Sequence, residues 1–349
     1  MEMKQLLLIT PGFAADENDH NCIPPLQGFV RELQRRGVAV HIVALEYPFT
    51  DQSYNWHGAQ VYPCNGRNRR WFKPRTIWRA MGFCHDVLDM SDISVIHSFW
   101  LGIAWRVGER IAQRRGVPHV TTLMGQDVLP GNRRYLRMLT PAHCGRLIAL
   151  SPFHDSMLEK ATGYRAGQVI PWGVETTEIP SKLPSERSLD VLGVGSLVAV
   201  KNWSKWLRVL AKVSEKHPGL RAELMGDGPE RAALERLAAT LGLAGRVHFA
   251  GTQPRREVLR RMQQARVLLH TSHFESFGFV LAEAAMEGCR VVSTPVGIAP
   301  ELCVCAADEG GLATLVSEGL VQPPVEASLV PFRMKDTVRL YAQLGFSLK

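Results

Sequence analysis

The chain has 349 residues, a formal net charge of +8 at pH 7 and 46% hydrophobic residues. That length suits two domains, each with its own core, and the hydrophobic share is ordinary for a soluble globular protein. No apolar run approaches the ~20 residues that span a bilayer, the short apolar run after Met1 reads as a buried strand rather than a secretory signal, and the seven cysteines show no Cys-x-x-Cys pair or metal-type spacing. The cysteines therefore read as reduced thiols of a cytosolic protein.

In chain order, Leu6–Thr10 reads as the first strand, followed by Gly12 and a polar, then Pro-rich loop over residues 16–25. A helix is expected near residues 26–36 and a strand over Ala39–Ala44. Residues 66–79 then carry six basic residues, three aromatics and no acid. Basic residues interleaved with Trp and Phe suit an anionic membrane surface, or a solvated face with its rings turned inward; nucleic acid fits less well, because no nucleic-acid motif accompanies the charge. Strands are expected at residues 93–97 and 119–123 with a helix near 103–114 between them, then at residues 147–150 and 168–170. Alternating strands and helices indicate a parallel sheet covered on both faces. Residues 176–188 hold two prolines and little periodicity and read as a linker (domain 1–175 before it), and a second alternating set starts at Asp190 within a domain spanning 189–330. The tail, residues 331–349, contains a helix expected over Lys335–Leu344.

The second set holds the most informative segment. Arg266–His270 reads as a buried strand, a polar loop carries Glu275 and Gly278, and helix-forming residues follow from Val280 to Glu287. Strand, loop and helix in that order aim a helix N-terminus, with free N–H groups, at a ligand. Glu275 and Glu283, separated by seven residues, repel phosphate but suit sugar hydroxyls, which carboxylates accept in pairs.

The Glu-x7-Glu spacing with Phe277-Gly278 after the first Glu resembles the signature of retaining glycosyltransferase family 4, which has the GT-B fold. Residues 191–202 resemble that family's Gly-Arg-Leu-x-x-x-Lys-Gly segment, 224–230 its Gly-x-Gly-Pro turn, 247–251 its Val-x-Phe-x-Gly strand and 297–301 its Gly-Gly-x-Pro-Glu loop. The resemblance implies two Rossmann-like parallel-sheet domains facing a cleft that closes by a hinge near 171–188, with the last helix crossing back to the first domain. It implies a nucleotide-diphosphate sugar as donor, a UDP-sugar by prevalence, with no cofactor and no bound metal. Residue by residue, it places Lys201 on the leaving phosphate, Glu275 on the donor sugar and Glu283 on the ribose. The amides of Phe277, Gly278 and Phe279 reach the sugar or the phosphate, and Gly195 and Ser196 also bind the donor. On the N-terminal side it places Gly12 near the donor phosphate, His97 near the donor sugar and Asp127 near the acceptor. Four positions depart from the pattern: Ser196 stands where the family has Arg, Asn202 where it has Gly, Phe99 where it often has the second His of a His-x-His pair, and Met124 where it has His. With the basic aromatic stretch at 66–79, the expected acceptor is a glycan or lipid-linked intermediate at the cytosolic membrane face, in cell-surface polysaccharide synthesis. A donor-binding scaffold of the same fold, a sugar-nucleotide epimerase, and more remotely a dinucleotide-dependent oxidoreductase suggested by Gly193-x-Gly195 are the alternatives.

Overall fold

A computed structural model describes residues 5–174, 187–323, 325 and 332–343. The segment read as a linker, 176–188, lies outside the described residues except for its last two, as does position 344 of the tail. The chain divides into two compact units, Met1–Glu175 with Phe332–Lys349, and Thr176–Pro331.

The first unit contains strands β1 (Gln5–Gly12), β2 (Ala39–Tyr47), β3 (Tyr54–Trp56), β4 (Ala59–Pro63), β5 (Ile93–Phe99), β6 (His119–Thr122), β7 (Leu147–Ala149) and β8 (Gln168–Val169). Its helices are α1 (Pro24–Arg35), α2 (Lys73–Met90), α3 (Ile103–Arg115), α4 (Arg133–Leu136), α5 (Pro141–Cys144) and α6 (Pro152–Thr162). Among the described residues the sheet has eight strands in the order β3-β4-β2-β1-β5-β6-β7-β8. All pairs are parallel except β3 with β4. Strand order reverses beside β1, which is flanked by β2 and β5. Leu7, Ile9, Val43 and Ile96 point into a core that Ala80, Cys84, Val107 and Ile111 cover from α2 and α3. Helix α1 starts on Pro24 and Pro25, whose missing N–H groups and fixed φ suit a first turn, and buries Leu26, Phe29, Val30 and Leu33 at helical spacing.

Several elements here were not expected: α4, α5 and α6, the β3–β4 hairpin and α2. The β3–β4 hairpin turns through His57 and Gly58, at φ 46° and 94°, the pair of positive values that a tight two-residue hairpin requires. Helix α2 runs through the basic stretch. Its buried positions are Thr76, Ala80, Cys84 and Val87, small or weakly apolar residues, while large apolar ones lie outside that stripe, so no clear period of bulky hydrophobes marks it.

The second unit has strands β9 (Leu189–Val194), β10 (Ala222–Met225), β11 (Val247–Gly251), β12 (Ala265–His270), β13 (Arg290–Ser293) and β14 (Val304–Cys305). Its helices are α7 (Trp203–Lys216), α8 (Arg231–Thr240), α9 (Arg255–Gln264), α10 (Phe279–Met286), α11 (Ala299–Leu302) and α12 (Glu309–Val321). The described strands form one parallel sheet ordered β11-β10-β9-β12-β13-β14. That is the doubly wound order in which the chain switches direction between the first and fourth strands, here β9 and β12. Trp203, Trp206, Leu207 and Leu210 of α7 pack on Val191, Leu224 and Val267.

The last helix, α13 (Met334–Tyr341), returns to the first unit. It buries Met334, Val338 and Tyr341, and Thr337 Oγ1 donates to Pro171 O at 2.8 Å. No helix among the described residues is long and apolar enough to cross a membrane.

Candidate functional site

The carboxyl ends of β9 and β12 lie next to each other at the switch point of the second sheet, the place where open α/β sheets take ligands. After β9 the chain passes Gly195 and Ser196 and enters a short helical turn over Ala199–Lys201, closed by Asn202 at φ 52°. After β12 it passes Thr271 and Ser272 to Glu275 and then α10. Thr271 Oγ1 ties the two loops by donating to Asn202 O at 3.1 Å, and His273 N donates to Val200 O at 2.8 Å.

These ties bring Lys201 Nζ to 2.5 Å from Glu275 Oε1. The same oxygen accepts from His270 Nε2 at 3.0 Å and Ser272 Oγ at 2.9 Å. The other ring nitrogen, His270 Nδ1, lies 3.0 Å from Ser293 Oγ, whose single hydroxyl proton goes to Thr294 O at 2.8 Å. Burial raises the Glu275 carboxyl, but the His270 hydrogen bond and the Lys201 charge outweigh it and hold the group down at about 2. The site is a carboxylate clamped between a lysine that keeps some solvent contact and a buried histidine.

The loop after β10 supports this arrangement from below. Gly195 N donates to Met225 O and Leu197 N to Asp227 O, both at 2.9 Å. A Cβ on Gly226 would sit 1.9 Å from Gly195 O, so the two loops approach closer than any side chain permits. The Gly226-x-Gly228 turn thus has a packing reason of its own. Ser196 is exposed, and its carbonyl accepts from Trp203 Nε1 at 2.9 Å.

Gly278 caps α10 at φ 99°, a left-handed conformation that favours glycine, and Phe277 beside it is buried, its carbonyl accepting from Ile298 N at 2.8 Å. Phe279 is the first residue of α10 and Glu283 lies about one turn further on. Glu283 is ion-paired with Arg255, the first residue of α9. Of the expected residues, Gly195, Ser196, Lys201, Glu275, Phe277, Gly278, Phe279 and Glu283 thus all belong to the second unit, on the loops at the ends of β9 and β12 or on α10.

The other three expected residues, His97, Asp127 and Gly12, belong to the first unit. His97 is fully buried. Its Nε2 meets Thr122 Oγ1 at 2.8 Å, and its ring packs on Phe99 and on Tyr341 of α13. Burial above all, then His119, holds it neutral, well below the usual histidine range. Within the first unit it is a core residue. Asp127 is also buried; its Oδ2 accepts from Leu101 N at 2.7 Å and Met124 N at 2.9 Å, so it braces the loops after β5 and β6 and offers no exposed carboxylate to an acceptor. Burial pushes its carboxyl up to about 7 against the pull of those two bonds. Gly12 is buried against Cys22 and Tyr47. His97 is covered by Tyr341 of α13, Asp127 by the loops after β5 and β6, and Gly12 by Cys22 and Tyr47.

His270, Ser272 and Arg255 were not singled out from the sequence. His270 carried a signal, a histidine at a strand end five residues before Glu275. Arg255 is 28 residues from its partner and only the fold brings it there. No group of three His, Cys, Asp or Glu placed to hold a metal ion occurs among the described residues.

Two doubly wound units, the second with a cation–carboxylate pair at its switch point, define the GT-B class of glycosyltransferase fold. Residues 26–178 match the family described as Glycosyltransferase Family 4, and residues 175–313 match Glycosyl transferases group 1. The chain belongs to this family. Its curated relatives include the gpi3 component of phosphatidylinositol N-acetylglucosaminyltransferase from Schizosaccharomyces pombe, 34% identical over 123 residues, which are 35% of this chain and 27% of the yeast protein. They also include the D-inositol 3-phosphate glycosyltransferase of Acidothermus cellulolyticus, 31% identical over 258 residues, 64% of this chain and 54% of that protein. The chain thus spans about a quarter to a half of the curated relatives named here. Among solved structures, sucrose-phosphate synthase from Thermosynechococcus elongatus matches with a TM-score of 0.71 at 18% identity, covering 98% of this chain and 95% of the other. Anabaena HepE, solved with UDP and glucose, matches with a TM-score of 0.72 at 19% identity, covering 98% and 99%.

Proposed function

We propose that this chain is a retaining glycosyltransferase that moves a sugar from a nucleotide-diphosphate donor, a UDP-sugar, to a glycan or lipid-linked acceptor. The observation that carries this reading is the Lys201–Glu275 pair at the switch point of the second sheet. It sets a cation for a phosphate beside an acceptor for sugar hydroxyls. Breaking the anomeric C–O bond leaves negative charge on the diphosphate, and Lys201 is the group that meets it. Glu275 and Glu283 take hydroxyls of the donor sugar and the ribose, and the backbone at Gly195, Ser196 and Phe277–Phe279 approaches the diphosphate. The acceptor oxygen bonds to the anomeric carbon on the face that the leaving group vacates, and its proton passes to a phosphate oxygen, so no protein base is required. No metal takes part in this reading, and a chelator leaves the rate unchanged. The Vi polysaccharide biosynthesis protein of Salmonella typhi, 33% identical over 137 residues, supports a role in cell-surface polysaccharide synthesis. Such a role belongs at the cytosolic face of a membrane.

Calorimetry with UDP, GDP, ADP and their sugars tests the reading. The expected result is saturable binding of one nucleotide class, weakened roughly tenfold or more in Lys201→Ala and Glu283→Gln. Product analysis should then find the donor's anomeric configuration kept. A folded protein that binds none of these nucleotides would overturn the proposal. One feature favours a second reading, a donor-binding scaffold: Ser196 stands where the family carries Arg. Binding without turnover, with turnover raised in Ser196→Arg, would select it.

A further inference from the structure

Trp78 on the outer face of α2 and Trp71 in the helical turn before it are both exposed, and burial elsewhere fixes which way they point. The helical turn Arg70–Phe72 runs directly into α2, so Trp71, Arg75 and Trp78 fall at i, i+4 and i+7, along one face. Trp71 is 90% exposed and Trp78 76%, extreme values for a residue that is highly buried on average. The opposite face is locked to the first unit by the buried Thr76, Ala80, Cys84 and Val87. Arg79 adds a clamp, donating to Pro63 O at 3.0 Å and pairing with Asp51 at 2.8 Å. The tryptophans therefore cannot turn inward without unpacking the helix.

Their surroundings are cationic. Arg67, Arg69, Arg70, Lys73 and Arg75 are all exposed, and Phe49, itself 57% exposed, lies under the Arg67 guanidinium at 5.8 Å. The acids that face this segment are Asp51, engaged by Arg75 and Arg79, and Glu46, which is buried and accepts from Asn68 N at 2.8 Å. We propose that this face docks on an anionic lipid bilayer, with Trp71 and Trp78 inserted at head-group depth and the arginines and Lys73 on lipid phosphates. Tryptophan, with an apolar body and an N–H, partitions to that depth. A basic cluster adds the second attraction that stable, reversible membrane binding needs. Trp71, Arg75 and Trp78 share one exposed face, and the other cations lie on the segment that leads into α2 and on its first residue, so apolar rings and positive charge are neighbours, which matches a bilayer surface. The inference stands on the exposure of this helix and is independent of the transferase reading.

Co-sedimentation of the whole chain with phosphatidylcholine vesicles, and with vesicles of phosphatidylcholine mixed with phosphatidylglycerol, tests it without donor or acceptor. The expected result is binding to the mixed vesicles, weak binding to the neutral ones, and loss of binding as salt is raised. Trp71→Ser/Trp78→Ser should bind the mixed vesicles roughly tenfold or more weakly with an unchanged melting temperature, because both rings are exposed. Arg69→Ala/Arg70→Ala should bind several-fold more weakly and show less salt dependence. Equal binding to both vesicles, or no loss in the tryptophan variant, overturns the proposal. So does a dimer in light scattering that Trp71→Ser/Trp78→Ser dissociates, or single-stranded oligonucleotide that displaces the protein from the vesicles.

Discussion

At residue scale, two carboxylates in this chain respond to pH with opposite signs. Glu275 is held at about 2, below its ordinary value, so its clamp stabilises the native protein above the ordinary carboxylate range and is lost as pH falls towards 2. Glu275→Gln should flatten the fall in urea stability between about pH 5 and 2, by up to about 3 kcal/mol. Glu109, also held at about 2 by His119 and Arg146, keeps the remaining slope. Asp127 is raised to about 7, so between its ordinary value and 7 the native state holds a proton that the unfolded chain has released. Stability from this group therefore declines as pH rises through that window. Asp127→Asn keeps an oxygen for Leu101 N and Met124 N and should remove the decline, whereas Asp127→Ala orphans both and should cost about 2–4 kcal/mol in chemical denaturation. A decline that survives in Asp127→Asn would place its origin elsewhere.

At the scale of elements, the packed loops of the second unit make a sharp distinction among glycines. Gly226 sits at φ 138° with Gly195 O at 1.9 Å from where a Cβ would lie; Gly245 sits at φ 76° with nothing within 4 Å. Gly226→Ala should destabilise by about 2–4 kcal/mol because backbone must move, and Gly245→Ala by about 1 kcal/mol of conformational strain alone. Denaturation midpoints that rank the two variants equally would contradict the close approach of the loops. The same contrast bears on what could be read in advance. The strand–loop–helix around Glu275 was legible because an apolar run, a polar loop and a helix-forming run follow one another without overlap. Helix α2 was not, because its inward stripe is small and its largest rings face water. The β3–β4 hairpin was hidden by strands of three and five residues, too short for alternation to stand out.

At the scale of the whole molecule, α13 rejoins the unit in which β1 lies. Tyr341 of α13 hydrogen-bonds Thr122 Oγ1 at 2.7 Å and packs against Phe29, His97 and Trp172. Val174 and Arg333 form a parallel bridge beside it. Deleting residues 332–349 would uncover that aromatic cluster. It should destabilise the first unit by several kcal/mol, since burying Met334, Val338 and Tyr341 contributes about 1.5–3 kcal/mol each. Limited proteolysis should then cut the first unit before the second. Equal resistance in the truncated and full chains would deny the helix this role.

The sequence by itself determined the alternating parallel architecture and the family, and it singled out Lys201, Glu275 and Glu283 as candidates. Each of these depends on local pattern: apolar runs of strand length, glycines at turns, and two carboxylates at fixed spacing on one strand–loop–helix. The tertiary structure alone decided which polar residues share a charge and which are buried. It joined His270 and Ser272 to Glu275, and Arg255 to Glu283 across 28 residues. It drew His97 and Asp127 into the interior, one beneath a helix from the far end of the chain and one between two loops. It also turned Trp71 and Trp78 outward. Pattern along a chain reports which face of an element is apolar; which partner covers that face is set by contacts between residues far apart in sequence, and no local spacing records them.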